Sequence, residues 1–157
     1  MNTNNFQQAF KLTMRNDKTL AWLAGLFQAE ASFQTDNRIR SQSNSPEYTP
    51  PPHRPFLKLD MIEQDLMERV GEYLGKEVIT LNRKTSAGNT VYRISLDARE
   101  DVKLFLKAIF PYVIGIKTRT KISDLLQLCD EYDKWVAEGG KKKAAQLANK
   151  ARNKRSN

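Results

Sequence analysis

The segment from Lys18 to Ala31, KTLAWLAGLFQAEA, limits the fold more than any other part of the chain. Leu20 to Phe27 runs without a polar residue, and Asn16 or Asp17 can cap its start. Wound as a helix, this stretch has no polar face, and a helix apolar all round has to be covered all round. Ala21, Gly25 and Ala29 fall at i, i+4 and i+8 and make a stripe with almost no side chain. A bare stripe lets a second helix approach backbone to backbone. No similar run exists downstream, so the stripe has no obvious partner within the chain.

After Ala31 the period changes to two. Phe33 and Ile39 share one face of a strand; Ser32, Gln34, Asp36, Arg38 and Arg40 share the other. Residues 41–53, SQSNSPEYTPPPH, are a loop on composition, since four prolines exclude helix and central strand. Leu57, Leu59 and Met61 then alternate with Arg54, Phe56, Lys58 and Asp60. A helix to Leu74 follows, with Ile62, Leu66, Val70 and Leu74 as its apolar stripe and Gly75 at its C′ position. Ile79 and Leu81 alternate with Thr80, Asn82 and Lys84. A turn at Gly88-Asn89 leads to Tyr92, Ile94 and Leu96, which alternate with Val91, Arg93 and Ser95. Asp97 to Glu100 reads as a capping box opening a helix that ends at Pro111. A last helix over about 118–138 carries Ile122, Leu125, Leu126, Cys129, Tyr132 and Val136, and Gly139-Gly140 ends it. The expected fold is α+β: an αββαββα two-layer domain with a four-stranded sheet and C-terminal helices. The domain spans 17–138, between an N-terminal arm at 1–16 and a C-terminal tail at 139–157.

Charge separates the tail from the body. The 157 residues carry 26 Lys and Arg against 18 Asp and Glu, a net +8. Residues 141–157 hold seven of the bases, Lys141 and Lys142 among them, and no acid. The body is therefore near neutral. Such a tail suits a polyanion, because each Lys or Arg displaces a condensed counterion from a phosphate backbone; the plainer reading is a solubilising end. It lacks the large apolar face of a lipid-surface helix. No stretch reaches the apolar length of a membrane span, and the N-terminus does not read as a signal peptide. One cysteine, Cys129, excludes an intrachain disulfide framework. A location inside the cell, in prokaryotic cytoplasm or an organelle, is expected, without secretion or membrane partner. His53, in a Pro-rich loop with no second His or Cys nearby, reads as loop surface; Cys129 and Met61 read as core.

Two features point to chemistry. The outer face of the sheet carries Gln34, Asp36, Arg38, Arg40, Arg54, Lys58, Thr80, Asn82, Lys84 and Arg93. Arg, Gln and Asn are the residue types that read base edges in the major groove, which a two-stranded ribbon fits; a solvated sheet face is the plainer alternative. Glu30, in turn, ends the apolar helix, where a carboxylate meets the negative end of the helix dipole at a cost of up to about 1 kcal/mol. A divalent cation relieves that cost. If two copies pack along the bare stripe, two Glu30 side chains emerge together as hard oxygen donors suited to Mg²⁺.

Leu23 to Phe33, LAGLFQAEASF, resembles the signature of the LAGLIDADG homing endonucleases. The resemblance extends from about Leu20 to Leu128 in element order, and in the stretches RPFLKLDMIEQDLMERVGEYLG and PYVIGIKTRTKISDLL. It implies paired signature helices, a saddle-shaped sheet in the DNA major groove, and metal-dependent double-strand cleavage with short 3′ overhangs. It gives Glu30 the metal-ligand role, with Ala31 beside it in the metal site, and two or three Mg²⁺ ions per dimer. Gln28 stands where the motif has its first acid, and Ala31 where it has a glycine. A single motif implies a homodimer and a pseudo-palindromic target. A catalytic cation is expected in GIKTRTK: Lys117 first, with Arg119 and Lys121 as alternatives, those two also as DNA contacts; a phosphate contact without catalysis is the plainer reading of Lys117. Glu63 or Gln64 stands where a water-positioning residue is expected. Proteins with this signature also act as RNA-splicing maturases or transcription regulators, so a non-cleaving binder of RNA or DNA is the competing reading, and an unrelated α+β interaction domain the remaining one.

Overall fold

A computed structural model describes residues 3–36 and 49–155. Six helices and four strands follow in the order α1 (Thr3–Thr13), α2 (Asp17–Glu30), β1 (Ser32–Asp36), β2 (Arg54–Met61), α3 (Gln64–Leu74), β3 (Ile79–Lys84), β4 (Thr90–Leu96), α4 (Arg99–Ile109), α5 (Ile116–Ala137) and α6 (Gly140–Arg155), with a 3₁₀ turn at Phe110–Tyr112. The strands form one antiparallel sheet in the order β1-β2-β4-β3. Helices cover one side of it, as two-layer α+β packing requires. Residues 37–48, and with them Arg38, Ile39 and Arg40, lie outside the described residues.

The alternation in β1, β2 and β4 explains why the sheet has two unlike faces. Phe33, Leu57, Leu59, Ile94 and Leu96 are buried against the helices, while Gln34, Lys58, Asp60 and Arg93 fall on the opposite parity. Register follows from this pattern: Leu57 pairs with Leu96 and Leu59 with Ile94, so Lys58 faces Ser95 and Asp60 faces Arg93. In β1, Ser32 faces Lys58, Gln34 faces Phe56, and Asp36 faces Arg54.

The first segment is more than an arm. Phe6 and Phe10 of α1 are fully buried. Their rings continue through Phe105 of α4 to Phe27 of α2, with centroid separations of 5.2, 5.5 and 4.6 Å. The Thr13 hydroxyl donates to the Tyr73 carbonyl at 2.8 Å, joining α1 to α3. Two phenylalanines at i and i+4 are enough to dock a helix whose remaining face is polar.

Other local expectations shift by a residue or two. Gly75 closes α3 with φ of 58°, as expected, and a Cβ there would strike the Asn5 carbonyl. The buried stripe of α3, however, is Met67, Val70, Gly71 and Leu74; Ile62 is outside the helix and 50% exposed. Asp97 does not cap α4. Ala98 occupies that position with no side-chain bond, and the acid that matters is Asp101, one turn in. Asp101 is 1% exposed and pairs with Lys76 at 3.1 Å; the Lys76 ammonium lies 5.4 Å over the Phe6 ring. Both charges are enclosed, so removing either leaves the other uncompensated. The expected end at Gly139-Gly140 is a break between two helices: Gly139 has φ of 85°, and Gly140 lies against the Trp135 ring. The basic tail beyond it is the helix α6. Among the described residues, no helix is long and apolar enough to cross a membrane.

Candidate active site and nucleic-acid interface

The site is built from the C-terminal end of α2. Asn16 caps the helix, its side-chain oxygen accepting from the Thr19 amide at 3.1 Å. The helix stops where Ala31 turns to extended backbone (φ −80°, ψ 149°) and starts β1. Leu20, Leu23, Ala24 and Phe27 are buried on one side. The other side is bare within the protomer: Ala21 and Ala29 are exposed, and a Cβ built on Gly25 meets nothing within 4 Å. Trp22, 42% exposed, flanks the stripe edge-on to Tyr73. A helix expected to be enclosed all round is thus covered on one side only.

Glu30 closes the exposed end of this helix. The last turn holds no base. Among the described residues Glu30 makes no ion pair or hydrogen bond, and no three His, Cys, Asp or Glu side chains come together as a metal cage. The Glu30 carboxylate is therefore free among the described residues. That suits Mg²⁺, which keeps several waters and takes one or two carboxylates plus phosphate oxygens. Ala31 has no donor atom in its side chain, so only its carbonyl can serve.

Gln28 ties this corner to the next helix. Its side-chain oxygen accepts from the amides of Ile114 and Gly115 at 3.1 and 3.2 Å. Gly115 is the residue that enters α5 and has no side chain to cap it, so Gln28 binds the two amides just ahead of the helix and fixes the turn that leads into it. An acid stands at this position in the motif that the sequence resembles; here a neutral amide does the accepting. The result is an open cleft of about 390 Å³, lined by Gln28, Ala31, Ser32, Gln34, Lys117 and Lys121 among others. Lys117 and Lys121 sit four apart, on one face of α5. Arg119 falls between them and turns away: its guanidinium donates to the Phe110 and Val113 carbonyls at 3.2 and 2.9 Å and lies 4.2 Å over the Phe110 ring. It braces the turn before α5 and stands apart from the cleft.

Neither Glu63 nor Gln64 lines that cleft. Glu63 precedes α3 without a side-chain cap bond. The Gln64 amide donates to Glu68 at 3.1 Å, and its oxygen accepts from the Tyr92 hydroxyl at 3.2 Å.

The outer sheet face gathers Gln34, Asp36, Arg54, Lys58 and Arg93 as expected. Arg54 pairs with Asp36 at 3.5 Å, and the Lys58 ammonium lies 5.1 Å over the Phe56 ring. Strand β3 departs from the expectation. Thr80 pairs with Tyr92 and Lys84 with Thr90, which gives both the helix-side parity, while Ile79 pairs with Arg93 on the outer face. Ile79, Thr80 and Lys84 are exposed: β3 lies at one edge of the sheet and, unlike the other edge strand β1, which buries Phe33, holds no buried residue. The register shifts between Thr80 and Lys84, a stretch that takes in Asn82; Arg83 has the outward parity of Ile79 and reaches Asp60. Alternation in this strand carries no burial signal, so its parity is not readable from the sequence.

Arg83 and Asp60 are the residues that the candidate set missed. Asp60 accepts from Arg93 Nε and Nη2, both at 2.7 Å, and from Arg83 Nη2 at 2.8 Å. The Arg93 hydrogen bonds hold the Asp60 carboxyl below its ordinary range, against opposing desolvation, and Arg83 adds to the effect. Asp60 was legible as an outward residue of β2. Its bond to Arg83 crosses β4 and depends on how β3 registers against that strand. Elsewhere, Arg99 stacks 3.9 Å over Tyr132 and donates to the Pro52 and His53 carbonyls, anchoring the entry to β2. Burial pushes the Cys129 thiol up, as befits a core residue. Lys141 and Lys142 are exposed at the start of α6.

No protein-family model matches the chain, and no curated protein matches it in sequence. Solved structures match in fold. The homing endonuclease I-CvuI, in complex with its target in the presence of 2 mM Ca, is 20% identical over 85% of this chain and 79% of that one, with a TM-score of 0.51. The archaeal intron-encoded homing endonuclease I-Vdi141I, complexed with DNA, is 16% identical over 85% and 82%, with a TM-score of 0.53. The LAGLIDADG meganuclease I-CpaMI, bound to uncleaved DNA, is 16% identical over 82% of this chain and 42% of its own, with a TM-score of 0.54. The signature at residues 23–33 thus sits on the helix and strand where its resemblance requires, and the chain has the LAGLIDADG homing endonuclease fold.

Proposed function

We propose that the chain is a site-specific double-stranded DNA endonuclease that acts as a homodimer and hydrolyses phosphodiesters with divalent metal. The observation that carries this reading is Glu30: a free carboxylate at the end of a helix whose small-residue stripe is uncovered, adjacent in sequence to Ala31, which lines a cleft with Gln28, Lys117 and Lys121 that Glu30 itself does not line. Two protomers packed along Ala21, Gly25 and Ala29 bring two such acids to one seam. A symmetric dimer reads a symmetric site, hence a pseudo-palindromic target.

Within that assembly each residue has a distinct task. Glu30 supplies hard oxygen donors for Mg²⁺, two or three ions per dimer. The metal, when bound, supplies a water of lowered pKa and charge compensation for the leaving oxygen. Lys117 places a fixed positive charge beside the scissile phosphate and stabilises its added negative charge, with Lys121 one turn behind. Gln28 holds the start of α5 against α2, so the cation and the acid keep one spacing. The outer sheet face supplies base contacts, and α6 and the exposed lysines supply phosphate contacts. The target lies in an intracellular genome.

The test is incubation of the full chain with a library of duplexes in Mg²⁺ and in Ca²⁺. Double-strand cuts in Mg²⁺, and their absence with Glu30→Gln, are expected. Wild-type cleavage by Glu30→Gln removes the metal-ligand role, and binding without any cut in Mg²⁺ leaves a non-cleaving regulator.

A further inference from the structure

On the outer face of the sheet one acid is held between two guanidinium groups. Asp60 in β2 lies directly across from Arg93 in β4, and both side chains are about one quarter exposed. Arg93 grips Asp60 side-on, through Nε and Nη2, both at 2.7 Å. Arg83 reaches the same carboxylate from β3 through Nη2 at 2.8 Å and is 58% exposed. A guanidinium has five N–H groups in a rigid plane. Side-on pairing uses the Nε hydrogen and one Nη2 hydrogen. The end-on fork, one hydrogen each from Nη1 and Nη2, is not used by Asp60, and no other partner among the described residues takes it.

This arrangement suits one kind of ligand. A phosphate contact needs positive charge and tolerates a mobile side chain, so an acid beside the arginine only weakens it. A base contact needs the plane of the fork fixed, and there the acid helps, because rotamer freedom is lost during folding and not on binding. Guanine presents O6 and N7 side by side in the major groove, the pair of acceptors that an end-on fork matches. On the reading of this face as DNA-binding, we propose that Arg93, positioned by Asp60, reads a guanine at one position of each half-site, with Arg83 completing the clamp.

The test is selection from randomised duplexes with the full chain in Ca²⁺, followed by competition binding at each base pair of the selected site. The wild type is expected to require guanine at one position per half-site, by roughly ten- to a hundredfold over the other bases. Asp60→Asn and Arg93→Lys each lose that discrimination at that position alone. Asp60→Asn binds DNA overall as tightly or more tightly, since it removes a negative charge, and its salt dependence does not weaken. A merely structural pair would instead lower affinity for every sequence alike. Circular dichroism melting of both variants confirms that they fold; Arg93→Lys keeps the charge should Asp60→Asn melt early. The inference is overturned if Asp60→Asn and Arg93→Lys keep the guanine preference, or if the selected half-site has no guanine sensitive to them. Failure of the wild type to enrich any duplex overturns the DNA-binding reading itself, a separate outcome.

Discussion

Glu30 and Asp60 are both carboxylates on the accessible part of the molecule, and the fold treats them oppositely. Asp60 has three charged hydrogen bonds from two arginines, and its carboxyl is held below the ordinary range. Glu30 has no partner among the described residues and faces the unfavourable end of its own helix. An acid whose bonds are all made inside the protomer is part of a finished surface. An acid left without any stays open to water, to metal or to a second copy. On the proposed reading, the contrast separates a residue that shapes recognition from one that supplies chemistry.

The largest expected effect breaks the contrast at Glu30. Glu30→Gln lowers cleavage by at least about a hundredfold, the loss of a metal ligand costing several kcal/mol of transition-state stabilisation. Its melting temperature stays level or rises, because no folded-state bond is lost. Plasmid linearisation and thermal melting, run side by side, check both halves. A large drop in stability would show that Glu30 is structural after all.

Next comes the proposed seam, which would bring two Glu30 residues together. Gly25→Leu has open space in the protomer, and a helix interior gains up to about 1 kcal/mol on losing glycine. The variant therefore folds at least as well but no longer allows close helix approach. Analytical ultracentrifugation is expected to show monomer where the wild type shows dimer, and a dimeric Gly25→Leu would move the interface elsewhere.

Gln28→Ala sharpens the contrast from the side. It releases the amides of Ile114 and Gly115, lowers stability by about 0.5–1.5 kcal/mol, and reduces cleavage about tenfold by loosening Lys117 relative to Glu30. Single-turnover rates at saturating DNA measure this; an unchanged rate would make the clamp a matter of stability alone.

The smallest effect concerns Asp60 and pH. Its folded pKa is depressed, so its stabilising contribution is present above the unfolded value near 3.9 and is lost as pH falls through the folded value. The ion pair is partly exposed, and Asp60→Asn costs less than about 1 kcal/mol at pH 7. Urea midpoints of wild type and variant are expected to differ at neutral pH and converge below the folded pKa. A constant gap across that range would mean that the carboxylate charge contributes nothing.

Much of this was legible before any coordinates. The helix at 17–30, the change of period at Ser32, the two buried faces of β2 and β4 and the turn at Gly75 all follow from patterns with a strong burial signal. The failures have separate causes. Strand β3 sits at the sheet edge and buries almost nothing, so alternation said little about which way Thr80 and Lys84 belong. The polar first segment concealed its docking role in two phenylalanines. Arg119 looked equivalent to Lys117 in the run GIKTRTK, but helical spacing separates them, and the carbonyls of Phe110 and Val113 capture its guanidinium.

The chain's residues alone determine the apolar helix, its bare stripe, the acid at its end and the basic segment beyond residue 140, because each is a local matter of spacing and composition. Only the tertiary structure decides that Gln28 binds the amides leading into α5, that Lys117 and Lys121 share a cleft with the end of α2, and that Asp60 gathers Arg83 and Arg93. Those contacts join residues 23 to 93 positions apart. They depend on strand register and helix rotation, which the whole core sets together and no local pattern encodes.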